Sequence, residues 1–229
     1  MLDPAALTAL RLSLQVAFCA TLLAVPLALA MAWVLARRDF WGKSLINALV
    51  HLPLVLPPVV TGYVLLSLFS PAAPLGGALQ AIGLGLAFHW SGAVLAAMVM
   101  GFPLMVRAMR LAIEAVDPGL EDAASTLGAP RGAVFARVTL PLIAPGILAG
   151  AVLGFAKAMG EFGATITFVA NIPGQTQTLP IAIWTELQVP GGEAQAARLA
   201  LLACGVAIAA VLASELLAQR VAKRIGARA

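Results

Sequence analysis

Two ionisable residues, Lys157 and Glu161, interrupt a long apolar stretch of the sequence. They are four positions apart, so their side chains lie on one face of a helix and can reach each other. Ionisable groups within apolar segments are costly and usually face the interior of a helix bundle. The spacing therefore predicts a mutual ion pair that holds helices together. The alternative is that one of the two lines a polar path near its outer end.

Residues typical of catalysis do not accompany this pair. His51 and His89 are isolated near the ends of apolar segments, and we interpret His51 as an interfacial residue. A membrane-embedded enzyme would need a histidine with carboxylates, or a nucleophile with a base. Cys19 and Cys204 lie within apolar runs, where a cysteine is most simply a small buried hydrophobe. We therefore expect no catalytic residue and no metal site.

The composition places the chain in a membrane. Of its 229 residues, 62% are hydrophobic and only 10% are charged, whereas soluble domains carry about 25% charged residues. A spanning helix needs about 20 mostly apolar residues. The first apolar segment has neither the flanks nor the cleavage site of a signal peptide. Five segments qualify, which predicts an all-α, polytopic bundle of five spans: residues 12–36, 45–69, 90–106, 142–160 and 199–217.

Lysine and arginine occur in three clusters at the same end of the predicted spans, and loops 70–89 and 161–197 contain neither residue. Because positive charge is retained in the cytoplasm, the N-terminus is predicted outside and the C-terminus inside. This clustering also argues against nucleic-acid binding, despite the formal net charge of +4. Segment 76–88 could dip into the membrane as a sixth element. The clusters are Arg37, Arg38 and Lys43, then Arg107, Arg110, Arg131 and Arg137, and finally Arg220, Lys223, Arg224 and Arg228.

The second predicted span contains Pro53, Pro57, Pro58 and Gly62. Proline lacks an N–H group and breaks helical hydrogen bonding, so the freed carbonyl groups must face protein or water. One interpretation is a kinked helix packed within the bundle. The other is a bend that lines a substrate path, as interrupted helices do in transport proteins.

A polar connector at about residues 113–140 separates the third and fourth spans, on the cytoplasmic side. Asp117 followed by Pro118 is a helix start signal, and Gly128 is a stop signal. A second short helix is predicted to follow, and Pro141 is predicted to open the next span.

A broken, polar stretch follows the fourth span on the outer side. An amphipathic segment from about Thr178 to Leu187 is expected to lie in the membrane interface, with Trp184 near headgroup level. The loop before it carries amide and hydroxyl groups, which suit a docking surface. Those residues are Asn171, Gln175, Thr176 and Gln177.

The connector resembles the cytoplasmic signature of permease subunits of binding-protein-dependent ABC importers. That signature is Glu-Ala-Ala, three residues, Gly, nine residues, Ile, one residue and Leu-Pro. Here Asp-Ala-Ala at 122–124 is followed, at the same spacings, by Gly128 and by Val-Thr-Leu-Pro at 138–141. Asp122 stands where Glu is usual, with Glu121 beside it, and Val138 stands where Ile is usual.

Within that family the chain is similar to molybdate permeases over residues 52–66, 139–150 and 160–184. Family members often have Gly in place of Ala170 and Tyr in place of Trp184. The resemblance implies a type I ABC importer permease for molybdate or tungstate. A sulfate or thiosulfate permease is the alternative. A secondary transporter driven by an ion gradient is the rival from another class, and it would show internal repeats and paired intramembrane acids.

The resemblance also implies that the connector docks on an ATPase. The sequence contains no Gly-x-x-x-x-Gly-Lys-Ser/Thr loop, so ATP and Mg²⁺ are expected on that partner and no cofactor in this chain. The residues assigned to coupling are Glu121, Asp122, Ala123, Ala124, Thr126, Leu127, Gly128 and Arg131.

The expected assembly is a homodimer with two cytoplasmic ABC ATPase subunits and an extracytoplasmic oxyanion-binding protein, in the bacterial inner membrane. Residues 1–229 are expected to form one transmembrane domain, with no regulatory domain after the last span. The path should offer hydroxyl groups and backbone donors, because a tight cationic site would trap the anion. The residues assigned to the path are Pro57, Pro58, Thr61, Gly62, Glu161, Thr165 and Thr167.

Overall fold

The computed structural model describes the backbone of residues 4–226 and the side chains of residues 4–210, Leu212 and Leu216. The basic cluster that follows the last predicted span lies outside the described side chains. Every regular element in the described part is helical, which confirms the predicted all-α class. The helices are α1 (Pro4–Arg37), α2 (Lys43–Val55), α3 (Pro58–Phe69), α4 (Pro74–Ala81), α5 (Trp90–Glu114), α6 (Pro118–Thr126), α7 (Arg131–Val134), α8 (Leu140–Met159), α9 (Gly163–Val169), α10 (Leu179–Leu187) and α11 (Glu193–Gly226).

Four stretches of the described chain are long and apolar enough to cross a membrane as single helices. They are α1, α5, Arg131–Met159 and the Glu193–Ala210 part of α11. Helices α2 and α3 together would give a fifth crossing, but their axes differ by 112°. The second predicted span is therefore two helices, bent more sharply than a kink. Leu56 between them is extended, with φ −71° and ψ 143°, because a proline follows it.

Small residues allow α1, α5 and α8 to pack closely at the centre of the bundle. Ala17, Ala24 and Ala28 of α1 are fully buried and lie on one helix face. A Cβ added to Gly101 of α5 would lie 3.3 Å from the carbonyl oxygen of Gly154 in α8. In lipid, such small residues let helix backbones approach and gain dispersion contacts. These three helices form the rigid frame that positions the other elements.

The connector's second helix does not end before the fourth span. α7, a π-helical segment at Phe135–Thr139 and α8 continue as one helix over Arg131–Met159. The prediction that Pro141 opens a new helix is wrong. A proline ring clashes with the carbonyl group four residues earlier in an α-helix, and the π-helical turn immediately before Pro141 widens the backbone there. The connector is thus joined rigidly to the span that follows it.

The outer segment predicted at 178–187 is a helix, α10, packed against α1 and α11. Leu179 and Ile181 are fully buried, and the N–H group of Leu179 donates a hydrogen bond to Ser13 Oγ at 2.6 Å. Trp184 is exposed. Its depth at the headgroups stays a prediction, as does a membrane dip at 76–88, where α4 covers the first half.

Candidate coupling helix and translocation path

Helix α6 is exposed, and both of its ends are fixed by the local sequence. Asp117 Oδ1 accepts a hydrogen bond from the Gly119 N–H group at 2.9 Å, so the predicted N-cap is confirmed. Gly128 has φ +86°, a left-handed conformation that glycine adopts without a steric cost. None of the nine residues of α6 is buried, and Leu127 directly after it is 89% exposed. Its orientation is therefore set while its surface remains free for a partner.

The carboxylate of Glu121 bonds α6 to two other elements. Glu121 Oε1 lies 3.0 Å from Arg37 Nη2 at the end of α1. The same oxygen accepts a hydrogen bond from Thr139 Oγ1 in the π-helical segment at 2.6 Å. Asp122 is exposed, and its side chain has no partner among the described residues. Of the two neighbouring acids, Glu121 is engaged inside the molecule and Asp122 is available outside it.

Aromatic side chains complete this arrangement around Arg37. The guanidinium carbon lies 5.6 Å from the centre of the Trp33 ring, a cation–π distance. Trp33 packs edge-to-face on Phe135, with ring centres 5.0 Å apart. We call Trp33, Arg37, Glu121, Phe135 and Thr139 the coupling cluster. It joins α1, α6 and the helix over Arg131–Met159.

The other residues assigned to coupling surround this cluster. Ala123, Thr126, Leu127, Gly128 and Arg131 are exposed, and Ala124 is partly buried. Thr126 Oγ1 donates a hydrogen bond to the Asp122 carbonyl oxygen at 2.9 Å and so stays within the helix. A partner would therefore meet Asp122, small alanines and an exposed leucine.

The structure brings together the predicted path residues of α3 and α9. A Cβ added to Gly62 would lie 2.5 Å from the Ala164 carbonyl oxygen and 2.8 Å from Thr167 Cβ, so only glycine fits at this contact. Thr61 is buried, and its hydroxyl has no hydrogen-bond partner in the described part of the chain. Thr165 is buried, Thr167 is partly buried, and Pro57 and Pro58 are exposed at the bend. That these residues line a path stays a prediction.

Lys157 and Glu161 form the ion pair that their spacing predicts. Lys157 Nζ lies 2.6 Å from Glu161 Oε2, and Glu161 Oε1 accepts a hydrogen bond from the Ala164 N–H group at 3.0 Å. The Glu161 side chain is 2% exposed. Both carboxylate oxygens are therefore satisfied internally, at the junction of α8 and α9. Its assignment to the path stays a prediction.

The predicted docking loop is held by its own polar groups. Thr176 is fully buried: its hydroxyl accepts from the Ile172 N–H group at 3.0 Å and donates to the Ala170 carbonyl oxygen at 3.2 Å. Asn171 Nδ2 donates to Thr185 Oγ1 at 2.9 Å. Gln175 is exposed and Gln177 is partly buried. Thr176 thus shapes the loop while Gln175 faces outward, and docking itself stays a prediction.

The histidines serve local structure. His51 Nδ1 lies 2.8 Å from the Asn47 carbonyl oxygen, and His89 Nδ1 accepts from the Ser91 N–H group at the start of α5. In the described residues, no three His, Cys, Asp or Glu side chains are grouped so that they could hold a metal ion.

Near α2, hydrogen bonding and Coulomb attraction to Lys43 lower the pKa of Asp39.

The family described as the inner membrane component of binding-protein-dependent transport systems matches residues 24–226. The chain belongs to this family. This permease is 52% identical to the molybdenum transport system permease protein ModB of Haemophilus influenzae over 221 residues, 96% of each chain. It is 36% identical over 186 residues to the sulfate transport system permease protein CysT of Salmonella typhimurium, covering 81% of this chain and 67% of that one.

A solved structure has the same fold as this permease. It is a bacterial ABC transporter involved in the import of alginate, which matches with a TM-score of 0.75 at 18% identity and covers 96% of this chain and 80% of that one. The predicted type I permease fold is therefore confirmed. Family membership also rules out the ion-gradient-driven secondary transporter.

The sequence indicates the position of α6 in this permease but not what holds it. Arg37 and Glu121 are 84 positions apart, and no local pattern connects them. Trp33 and Phe135 each read as ordinary apolar residues near the end of a span. The signal that could have found the contact is weaker: Arg37 and Glu121 carry opposite charges, and both fall on the predicted cytoplasmic side.

Proposed function

We propose that this chain is the membrane-spanning permease subunit of an ATP-driven importer of molybdate or tungstate. The observation that carries the proposal is α6, an exposed and capped helix that Glu121 connects to α1 and to the helix over Arg131–Met159. The choice of oxyanion is supported by 52% identity to a molybdenum permease against 36% to a sulfate permease. Sulfate or thiosulfate is the second candidate.

The coupling cluster gives this helix a mechanical role. ATP and Mg²⁺ bind to a separate ATPase, and α6 sits in a cleft on its surface. When the ATPase subunits close, α6 moves, and the hydrogen bonds of Glu121 carry that motion to Arg37 and Thr139. Charge-assisted hydrogen bonds are short and strong, so α6 and the attached spans rotate together. Asp122 and Leu127 are left free to contact the ATPase.

The path for the anion follows the bend between α2 and α3. Burying an oxyanion without partners would be very costly, so the path must supply water or polar groups. The buried Thr61 hydroxyl is unpaired among the described residues and lies in the helix that contacts α9. A rearrangement of α3 against α9 would expose this hydroxyl together with carbonyl groups freed by the prolines.

The positive charges set the orientation of this assembly. The Arg-rich ends of α1 and α5 and the connector are cytoplasmic, so α6 faces the ATPase and the N-terminus lies outside. The loop with Gln175 then faces an extracytoplasmic oxyanion-binding protein. Two copies pair about a twofold axis and engage two ATPase subunits, in the bacterial inner membrane.

ATP hydrolysis by the reconstituted complex tests the proposed function. The permease, its ATPase and its binding protein are placed in proteoliposomes, and molybdate, tungstate or sulfate is added in turn. Molybdate and tungstate should stimulate hydrolysis, and sulfate should not. Stimulation by sulfate alone would identify sulfate as the transported anion in place of molybdate or tungstate. Hydrolysis that responds to none of the three anions would contradict the proposal.

A matched pair of glycine variants tests the coupling role in the same assay. Gly128→Ala places a Cβ at φ +86°, where most residues are strained by about 1–3 kcal/mol. Gly132→Ala adds the same atom within α7, also into open space. Stimulated hydrolysis should fall only in Gly128→Ala. Equal activity in both variants would contradict the assignment of α6.

A further inference from the structure

A polar cavity with a volume of about 340 Å³ opens between α2 and α5, and no residue of the coupling cluster lines it. It lies towards the N-terminal end of α2 and the C-terminal end of α5, which the charge pattern places on the cytoplasmic side. None of the residues assigned to coupling or to the path lines it. The lining residues are Asn47 and His51 of α2 with Arg107, Arg110, Leu111 and Glu114 of α5.

One of the two guanidinium groups in this cavity is already engaged. Arg110 Nε lies 2.7 Å from Glu114 Oε1, and Arg110 Nη1 donates to Asn47 Oδ1 at 3.2 Å. Lys43, at the start of α2, is paired with Asp39 at 2.9 Å. Arg110 and Glu114 therefore neutralise each other within the cavity, and Lys43 and Asp39, which do not line it, neutralise each other.

Arg107 is the other guanidinium group of the cavity, and it is not engaged. Its side chain lines the cavity, and it has no hydrogen bond or ion pair among the residues that the structure describes. With Arg110 balanced by Glu114, the cavity carries one uncompensated positive charge. A guanidinium group presents its N–H donors as a planar fork that matches the oxygens of a tetrahedral anion. The cavity therefore has the charge, the donors and the space for such an anion.

We propose that this cavity binds a tetrahedral oxyanion, with Arg107 as the principal ligand. The proposal rests on the proposed function for one source of that anion, the transported molybdate or tungstate as it leaves the path. The other source with the same chemistry is the phosphate group of a membrane lipid. An apolar cavity of about 520 Å³ between α1, α2 and α5, lined by residues such as Leu49 and Met98, could hold an acyl chain nearby.

The site is suited to release rather than storage. A single unpaired guanidinium only half-balances a dianion, and the cavity is open, so water competes for the anion's oxygens. Binding should therefore be weak, which is what transport requires of a site at an exit. One side of the cavity is formed by α2, and because no residue of that helix is buried, this side is open to the surroundings.

Arginine modification in the unaltered complex gives a first test. Phenylglyoxal, which modifies arginine, is applied to the permease–ATPase complex in nanodiscs of zwitterionic lipid, and modified peptides are quantified by mass spectrometry. Molybdate or tungstate should slow the modification of Arg107 by about threefold or more, because the bound anion engages the guanidinium group in charge-assisted hydrogen bonds. Arg137, exposed on the same predicted side, is the control within each molecule. Equal rates at both arginines with and without anion would overturn the proposal.

Direct binding gives the second test and identifies the source of the anion. Binding of radiolabelled molybdate, without the binding protein, is compared in Arg107→Gln, Arg107→Lys and the control Arg137→Gln. Removing the guanidinium should weaken binding about tenfold, and lysine should restore part of it. If the site takes a lipid phosphate instead, phosphatidylglycerol in the nanodisc should displace molybdate, and Arg107→Gln should lose bound phosphatidylglycerol. No difference between Arg107→Gln and Arg137→Gln with either anion would overturn the site.

The two proposals fail in different ways. Suppose that molybdate stimulates ATP hydrolysis, but anions do not protect Arg107 from phenylglyoxal and Arg107→Gln binds anions as well as Arg137→Gln does. The cavity proposal is then wrong and the proposed function stands. If no oxyanion stimulates the unaltered complex but phosphatidylglycerol binding depends on Arg107, the transport function is wrong and the site binds lipid.

Discussion

At the scale of single residues, Glu161 is a carboxylate whose partners are both supplied within a few positions of the chain. Lys157 neutralises one oxygen and the Ala164 N–H group binds the other. Breaking a buried pair by removing one partner is far more harmful than replacing both, because a lone charge then remains in an apolar environment. This asymmetry makes the pair testable.

Lys157→Met should destabilise the permease by about 3 kcal/mol, because it leaves the Glu161 carboxylate buried and unpaired. Lys157→Met combined with Glu161→Gln should recover more than half of that loss, since the amide oxygen of glutamine can still accept from Ala164. The midpoint of thermal unfolding in detergent measures both effects. A double variant no more stable than Lys157→Met would show that Lys157 does not act through this pair.

Ala170 is strained where it stands, with φ +62° and ψ −165°, a region used almost only by glycine. Ala170→Gly should therefore raise the unfolding midpoint, corresponding to about 1 kcal/mol or more. Ala78→Gly, on the exposed side of α4, is the matched change, and it should lower stability by about 1 kcal/mol. If both variants lose stability alike, the backbone at Ala170 is not strained.

At the scale of elements, the coupling cluster connects α6 to α1 and to the helix over Arg131–Met159. Glu121→Gln and Arg37→Gln should each lower the molybdate transported per ATP hydrolysed by about tenfold, because each weakens a charge-assisted bond between α6 and α1. The ATPase should still co-purify, since the exposed Asp122 and Leu127 are unchanged. Transport and hydrolysis measured together in proteoliposomes give the ratio.

Arg38→Gln is the control for this prediction, because Arg38 adjoins Arg37 but makes no hydrogen bond or ion pair with α6 among the described residues. Its transport ratio should match the unaltered permease. If Arg37→Gln behaved like Arg38→Gln, α6 would transmit its motion through the connector alone. Loss of the ATPase from Glu121→Gln would instead place Glu121 at the partner surface.

The same elements show what a sequence can and cannot predict here. Local chemistry sufficed for α6, because the Asp117 cap and the left-handed Gly128 are each fixed by one or two residues. The prediction from local sequence failed at Pro141. A π-helical segment over the five residues Phe135–Thr139 lets the helix continue through this proline. Local chemistry could not give the 112° angle between α2 and α3. Nor could it give the contact of Gly62 in α3 with Ala164, which is about a hundred positions away in the chain.

At the scale of the whole molecule, the described helices pack against one another and leave the question of where a hydrophilic path runs. The centre of the described bundle is filled where α1, α5 and α8 meet, with Ala17, Ala28 and Met105 buried. The described residues supply at most five crossings, and three of them form this packed centre. A hydrophilic path is therefore expected between two copies, on a twofold axis, with one α6 presented by each copy.

Native mass spectrometry of the purified transporter should accordingly find two permease chains with two ATPase subunits.

Leu127→Asp should remove the ATPase subunits and leave the pair of permease chains intact. The reason is structural: Leu127 is 89% exposed, and α6 has no buried residue, so a charge there leaves the packing of the spans unchanged. Leu201→Asp, at an exposed leucine of α11, is the comparison, because a charge facing lipid should reduce membrane insertion without selectively removing the ATPase. A complex with one permease chain would contradict the predicted pair. A Leu127→Asp complex that retains its ATPase subunits would contradict the assignment of the α6 region as the attachment site for the ATPase.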